Sequence, residues 1–136
     1  MQKILDNPPA VPTPAGPYSH VARIDMGSGA LLVLSGQVAV DDGNEVVGAG
    51  DLTTQSERIF EIIGAILAAH GASFDDVVNI RTYLTDIGRL AEYAAVRAKY
   101  LTGRPPTSTT VEVSRLFKPE ALIEVEVLAV VPAPAA

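Results

Sequence analysis

The run Leu122-Ile123-Glu124-Val125-Glu126-Val127 sets apolar, mostly branched residues and carboxylates in alternation. Only a strand has a side-chain period of two, so the pattern commits this segment to a sheet, with Ile123, Val125 and Val127 on one face and two glutamates on the other. A carboxylate in such company is exposed, paired or in use. Upstream, Arg104-Pro105-Pro106-Thr107-Ser108-Thr109-Thr110-Val111-Glu112-Val113 reads as the polar entrance to another strand, rich in hydroxyls and β-branched residues. Together the two segments suggest a small-molecule site.

The bulk of the chain narrows what that site can do. Its 136 residues fit one domain, 1–136, large enough for a single core. With no cysteine and two histidines far apart, His20 and His70, neither a thiolate metal site nor redox chemistry is expected. No apolar run reaches the roughly twenty residues that cross a bilayer, and the N-terminus lacks the pattern of a signal peptide, so no membrane partner and a cytoplasmic location are expected. A net charge of −6 opposes binding to a phosphate backbone, which makes nucleic acid a poor partner. The mean hydropathy of +0.26 is high for a soluble monomer and points to apolar surface buried between subunits.

Periodicity orders the elements. A short strand is expected near Lys3 to Leu5, then a proline-rich loop to Tyr18. A strand from Ser19 to Asp25 and another from Ala30 to Val40 form a hairpin through Met26-Gly27-Ser28-Gly29. Asp51 caps a helix whose apolar positions Ile59, Ile62, Ile63, Ile66 and Leu67 recur at three and four, and Gly71 ends it. Ser73-Phe74-Asp75-Asp76 is a capped turn, and Val77 to Leu84 a strand. Asp86 is expected to cap a second helix from Ile87 to Leu101, with Leu90, Tyr93, Ala94 and Tyr100 inward; Gly103 and Pro105 stop it. Strands from Thr109 to Val113 and Ile123 to Val131 close the chain. The fold class is therefore α+β in two layers, a mixed sheet with both helices on one face. The other face is left bare, with Val111, Val113, Val125, Val127 and Leu128 expected to line it, and needs another copy of the chain to cover it.

Five segments in this order carry a resemblance. They are Gly16-Pro17-Tyr18-Ser19-His20, Ser35-Gly36-Gln37, Val78 to Asp86 (VNIRTYLTD), Pro106 to Val113 (PTSTTVEV) and Ile123 to Val127. The chain resembles the YjgF/RidA group of reactive-intermediate deaminases, some members of which are labelled L-PSP endoribonucleases or translation inhibitors. The resemblance implies a chorismate-mutase-like fold with a six-stranded sheet, a homotrimer with a central β-barrel, and clefts between subunits. In deaminases of that group a glutamate matching Glu124 holds the hydrolytic water, and an arginine binds the substrate carboxylate. The arginine position is Ser108 here. Replacing a two-pronged guanidinium by one neutral hydroxyl would cost about 2–4 kcal/mol of binding.

Two candidates could restore that charge, Arg97 on the second helix and Arg104 before the strand; either could equally be an ordinary surface or helix-end charge. The expected reaction is addition of water to a C=N bond and loss of ammonia from an imine or enamine. Glu124 would position or deprotonate the water, and Thr110 with backbone amides would steady developing charge. Tyr18, Ser35, Arg97, Ser108 and Thr109 would hold the substrate. No cofactor and no metal is expected, because an iminium carbon is already electrophilic. Glu126 is read as paired with a basic group, His20 as a weak candidate because a lone strand histidine is more often structural than catalytic, and His70 as a helix-dipole partner. The alternatives are a non-catalytic metabolite-binding trimer, which the missing arginine favours, and a ribonuclease, which the negative charge opposes. A serine hydrolase is excluded by the lack of a Gly-x-Ser-x-Gly elbow.

Overall fold

A computed structural model describes residues 2–133. Six strands and two helices follow in the order β1 (Lys3–Asp6), β2 (Val21–Asp25), β3 (Gly29–Leu34), α1 (Leu52–Ala69), β4 (Val77–Leu84), α2 (Leu90–Tyr100), β5 (Thr107–Glu112) and β6 (Ile123–Pro132). They make one mixed sheet in the order β1-β2-β3-β6-β4-β5. Only β4 and β5 run parallel; the α2 crossover joins them, as a parallel pair requires. The expected α+β architecture, a mixed six-stranded sheet with two helices, is the one observed.

Local chemistry sets the helix ends. Asp51 Oδ1 accepts from the Thr54 amide at 3.0 Å and starts α1. At its far end Gly71 takes φ +73°, a conformation open to glycine at little cost. There the Gly71 and Ala72 amides donate to the Ala68 and Leu67 carbonyls at 3.1 and 2.9 Å, which closes the helix. Between them Ile59, Ile62, Ile63, Ile66 and Leu67 are all buried.

Five expectations need correction. Asp86 caps a 3₁₀ turn and not α2: its Oδ1 takes the Gly88 amide at 2.9 Å, and the α-helix begins only at Leu90. The inner seam of α2 is narrower than expected, with Tyr93 and Val96 buried and Tyr100 partly so, while Leu90 and Ala94 are exposed. The strand β2 starts at Val21, because Ser19 and His20 lend their carbonyls to Ser35.

The strand expected to reach Val40 stops at Leu34. The register that pairs Val33 with Leu128 would bring Gly36 opposite Val125, yet Gln37 pairs with Val125. One extra residue at Ser35-Gly36 therefore makes a bulge, which turns Gln37 into the core and re-aims its neighbours.

The fifth correction concerns the bare face. Val125 and Val127 lie under the helices, 0% and 2% exposed. Strand alternation puts Leu31, Val33, Leu128 and Val130 on the opposite face with Glu124 and Glu126. Val111, 40% exposed, faces that side too, opposite Tyr83, whereas Val113 falls beyond the end of β5.

Candidate functional site

Glu124 is half-buried on β6. Its alternation with Ile123 and Val125 holds it to the face that no helix covers. The bulge of β3 brings Gly36 directly against it, so that a Cβ at position 36 would run into the Glu124 carboxylate; glycine is needed for close approach. Burial, and secondarily the charge of Glu126, pushes the Glu124 carboxyl above the usual carboxylate range. Tyr18, Ser35, Gly36, Phe117 and Glu124 border an open recess of about 270 Å³. A weakly acidic carboxyl in a recess of this size can hold a water and exchange a proton with it.

The walls are braced from behind. Ser35 Oγ donates to the Ser19 carbonyl at 2.6 Å and its amide to the His20 carbonyl at 2.9 Å. The Ser35 proton is thus committed, and what its hydroxyl offers the recess is lone pairs. His20 is 5% exposed. Its Nε2 lies 2.6 Å from the Pro12 carbonyl and its Nδ1 3.1 Å from the Gln37 side-chain amide, so both ring nitrogens are engaged within the chain. Gln37 also donates to the Ser35 carbonyl at 3.1 Å. His20, a weak site candidate on sequence alone, braces the loop that carries Ser35 and Gly36. His70 sits at the end of α1 with Nε2 2.9 Å from Asp6 Oδ2, which ties β1 to the helix.

The remaining expected site residues lie elsewhere on the chain. Ser108 and Thr110 stand opposite Ile80 and Thr82 on β4. Ile80 and Thr82 are buried, so Ser108 and Thr110 belong to the helix-side face and not to the face of Glu124. Arg97 Nη1 donates to Ser108 Oγ at 3.0 Å, which brings the guanidinium to the position expected to bind an anion. Thr109 is on the Glu124 side, in line with Arg81 and Glu126. Arg104 is exposed. One chain therefore carries two groups of candidate residues on opposite faces of the sheet, with β4 lying between the strands that bear Glu124 and Ser108.

Glu126 takes a different partner from the basic group expected. Tyr83 donates its phenol to Glu126 Oε1 at 2.5 Å. That hydrogen bond, with burial, raises the Tyr83 pKa. Sequence reasoning also passed over Phe117, although an aromatic inside the charged loop Arg115-Leu116-Phe117-Lys118 was a visible signal. Among the described residues no three His, Cys, Asp or Glu side chains gather as a metal-holding group, and no helix is long and apolar enough to cross a membrane.

Comparison with known proteins places the fold in a family. The family described as endoribonuclease L-PSP matches residues 9–131. A RutC family protein of Saccharolobus solfataricus is 43% identical over 119 residues, covering 87% of this chain and 90% of the relative. The crystal structure of a Yersinia pestis protein of unknown function from the conserved Rid family superposes with a TM-score of 0.84 at 30% identity, covering 94% of this chain and 98% of the other. RidA from an Antarctic Psychrobacter superposes with a TM-score of 0.75 at 31% identity, over 87% of this chain and 91% of the other. The chain belongs to the YjgF/RidA family, also described as endoribonuclease L-PSP.

Proposed function

We propose that the protein hydrolyses small imines or enamines to carbonyl compounds and ammonia, in a cleft completed by a neighbouring copy of the 1–136 domain. The observation that carries this reading is Glu124, half-buried beside Gly36 with its carboxyl pushed upward by desolvation. Glu124 holds a water and takes its proton as the oxygen attacks the C=N carbon. The tetrahedral carbinolamine then collapses; the C–N bond breaks, the nitrogen leaves as ammonia, and a C=O remains. Ser35 offers a lone pair to the substrate or product N–H, and Tyr18 gives a flat wall. The C=N carbon is itself electrophilic, so this chemistry calls for no cofactor.

The division of candidate residues between two faces supports a site built from two copies. A trimer whose sheets close into a barrel would cover Leu31, Val33, Leu128 and Val130. It would also bring the Arg97 and Ser108 pair of one subunit toward the Glu124 of another. In that arrangement Arg97 supplies the charge that Ser108 lacks, with Thr109 and Thr110 beside it. A long side chain can carry its charge several ångströms from its own backbone, and the hydrogen bond to Ser108 Oγ directs it.

Ammonia release from imines made in place by an amino-acid oxidase tests the reading. Wild type should exceed the spontaneous rate, Glu124→Ala should not, and Arg97→Ala should raise KM more than it lowers kcat. Inert wild type with activity gained in Ser108→Arg would instead favour a metabolite-binding trimer, the reading that the absence of an arginine at position 108 supports.

A further inference from the structure

The chain has three phenylalanines and four tyrosines. Phe60 stacks with Tyr100 and Tyr93, ring centroids 4.9 and 6.1 Å apart, and Phe74 packs tilted against Phe60 and Tyr100. Tyr83 is tied to Glu126. The two that remain, Tyr18 and Phe117, are exposed, at 41% and 58%, and both border the recess over Glu124. Large aromatics left in water next to a concave polar site mark a surface that binds something apolar.

Phe117 does not sit on a loose tip. Lys118 Nζ donates to the Asn44 carbonyl at 2.5 Å, and the Ala121 amide to the Lys118 carbonyl at 3.0 Å. Further along, the Gln55 side chain takes the Leu122 amide at 2.8 Å and gives to the Glu120 carbonyl at 3.0 Å. The loop is thus pinned to α1 and to the loop at Asn44. On the other wall Tyr18 is held by the Ala15 amide, which donates to its hydroxyl at 3.3 Å. Among the described residues of a single chain no cationic side chain borders the recess, and the one charged group there is the Glu124 carboxylate. An acidic side chain would therefore find no countercharge on this wall, Arg97 of the neighbouring copy being taken by the substrate carboxylate in the proposed cleft, and a small one would leave both rings in water.

We propose that Phe117, together with Tyr18, is a specificity-determining residue that selects imines bearing an aromatic or branched aliphatic side chain. This rests on the deaminase reading of the same site. An apolar contact of this kind is worth roughly 10- to 200-fold in kcat/KM. The substrate side chain lies against the rings while its C=N carbon is presented to the water on Glu124.

The test measures ammonia release by the full chain on imines generated from phenylalanine, leucine, alanine and glutamate, for wild type and Phe117→Ala. Wild type should favour the phenylalanine and leucine imines over the alanine imine by about tenfold or more. Phe117→Ala should bring that ratio close to one through KM. Retained activity with an unchanged ratio overturns the proposal and leaves the deaminase reading standing. Wild type inert on all four imines removes the deaminase reading. Binding of phenylpyruvate and of pyruvate, followed by NMR shifts, then decides the selectivity: a preference for phenylpyruvate that Phe117→Ala abolishes sustains it, and equal or absent binding overturns it. A changed native mass in Phe117→Ala with no change in selectivity makes Phe117 a subunit contact, and also overturns it.

Discussion

Along β6, neighbouring residues live in two environments. Ile123, Val125, Val127, Ala129 and Val131 are buried under the helices, while Glu124, Glu126, Leu128 and Val130 project from the other face of the same strand, none of them fully buried. The first set is satisfied by the chain itself. Phe60 and the α1 isoleucines fill the space above it, and each residue gains the transfer energy of a closed core. The second set mixes carboxylates with aliphatic groups and has no helix over it. One layer of the molecule is complete as a monomer; the other is the layer to which the proposed chemistry and assembly fall.

The sharpest way to break this comparison is to damage each face in turn. Phe60→Ala removes a fully buried ring from the aromatic stack and should cost about 3–5 kcal/mol in a denaturant titration. A loss under 1 kcal/mol would mean the helix-covered layer is not the dominant core.

Leu128→Arg tests the opposite face. If that face meets solvent, an exposed substitution changes stability by only about 0.5 kcal/mol and leaves the native mass alone. Covered by a second copy, it places an unpaired charge in an apolar contact, and the assembly should fall apart on sedimentation.

Glu124 sharpens the contrast by pH. Its carboxyl is raised above the ordinary 4.5, chiefly by burial, so between the unfolded and folded values the folded state holds more protons. Stability attributable to this group is therefore present below the ordinary value and is lost as pH rises through the raised one. Glu124→Gln should flatten that slope across the window above pH 4.5. If Glu124 is the base, wild-type activity should climb through the raised value and not the ordinary one. An activity limb at the ordinary carboxylate value would argue against Glu124 as the titrating group.

The smallest effect on stability, with a large one on function, is expected for Gly36→Ala. The new methyl meets the Glu124 side chain from its carboxylate back to Cγ and no backbone atom, so a flexible side chain can give way and unfolding should shift by about 1 kcal/mol. Ammonia release should nevertheless fall at least tenfold, on the order of 1.4 kcal/mol of barrier, because the carboxylate has moved. Unaltered activity would separate Glu124 from the chemistry.

Much of this molecule was legible in its sequence. Strand alternation in Ile123 to Val127, the α1 stripe from Ile59 to Leu67 and the Gly71 stop are local signals with a fixed period or a fixed φ. They determined the elements, the α+β class and the presence of two carboxylates on one sheet face. The Asp86 turn and the narrow seam of α2 were less legible, because a side-chain cap serves a 3₁₀ turn as readily as an α-helix.

Only the tertiary structure decided the rest. Whether Val125 faces helix or open face depends on which side the crossovers pack. The bulge at Ser35-Gly36 emerges only when Gln37 is seen paired with Val125, because a bulge is a register between two strands, not a property of one. The same holds for Arg97 at Ser108, Phe117 beside Tyr18, and Glu124 against Gly36. Each pair is distant along the chain, and its contact follows from how the loops return to the sheet, which no local pattern encodes.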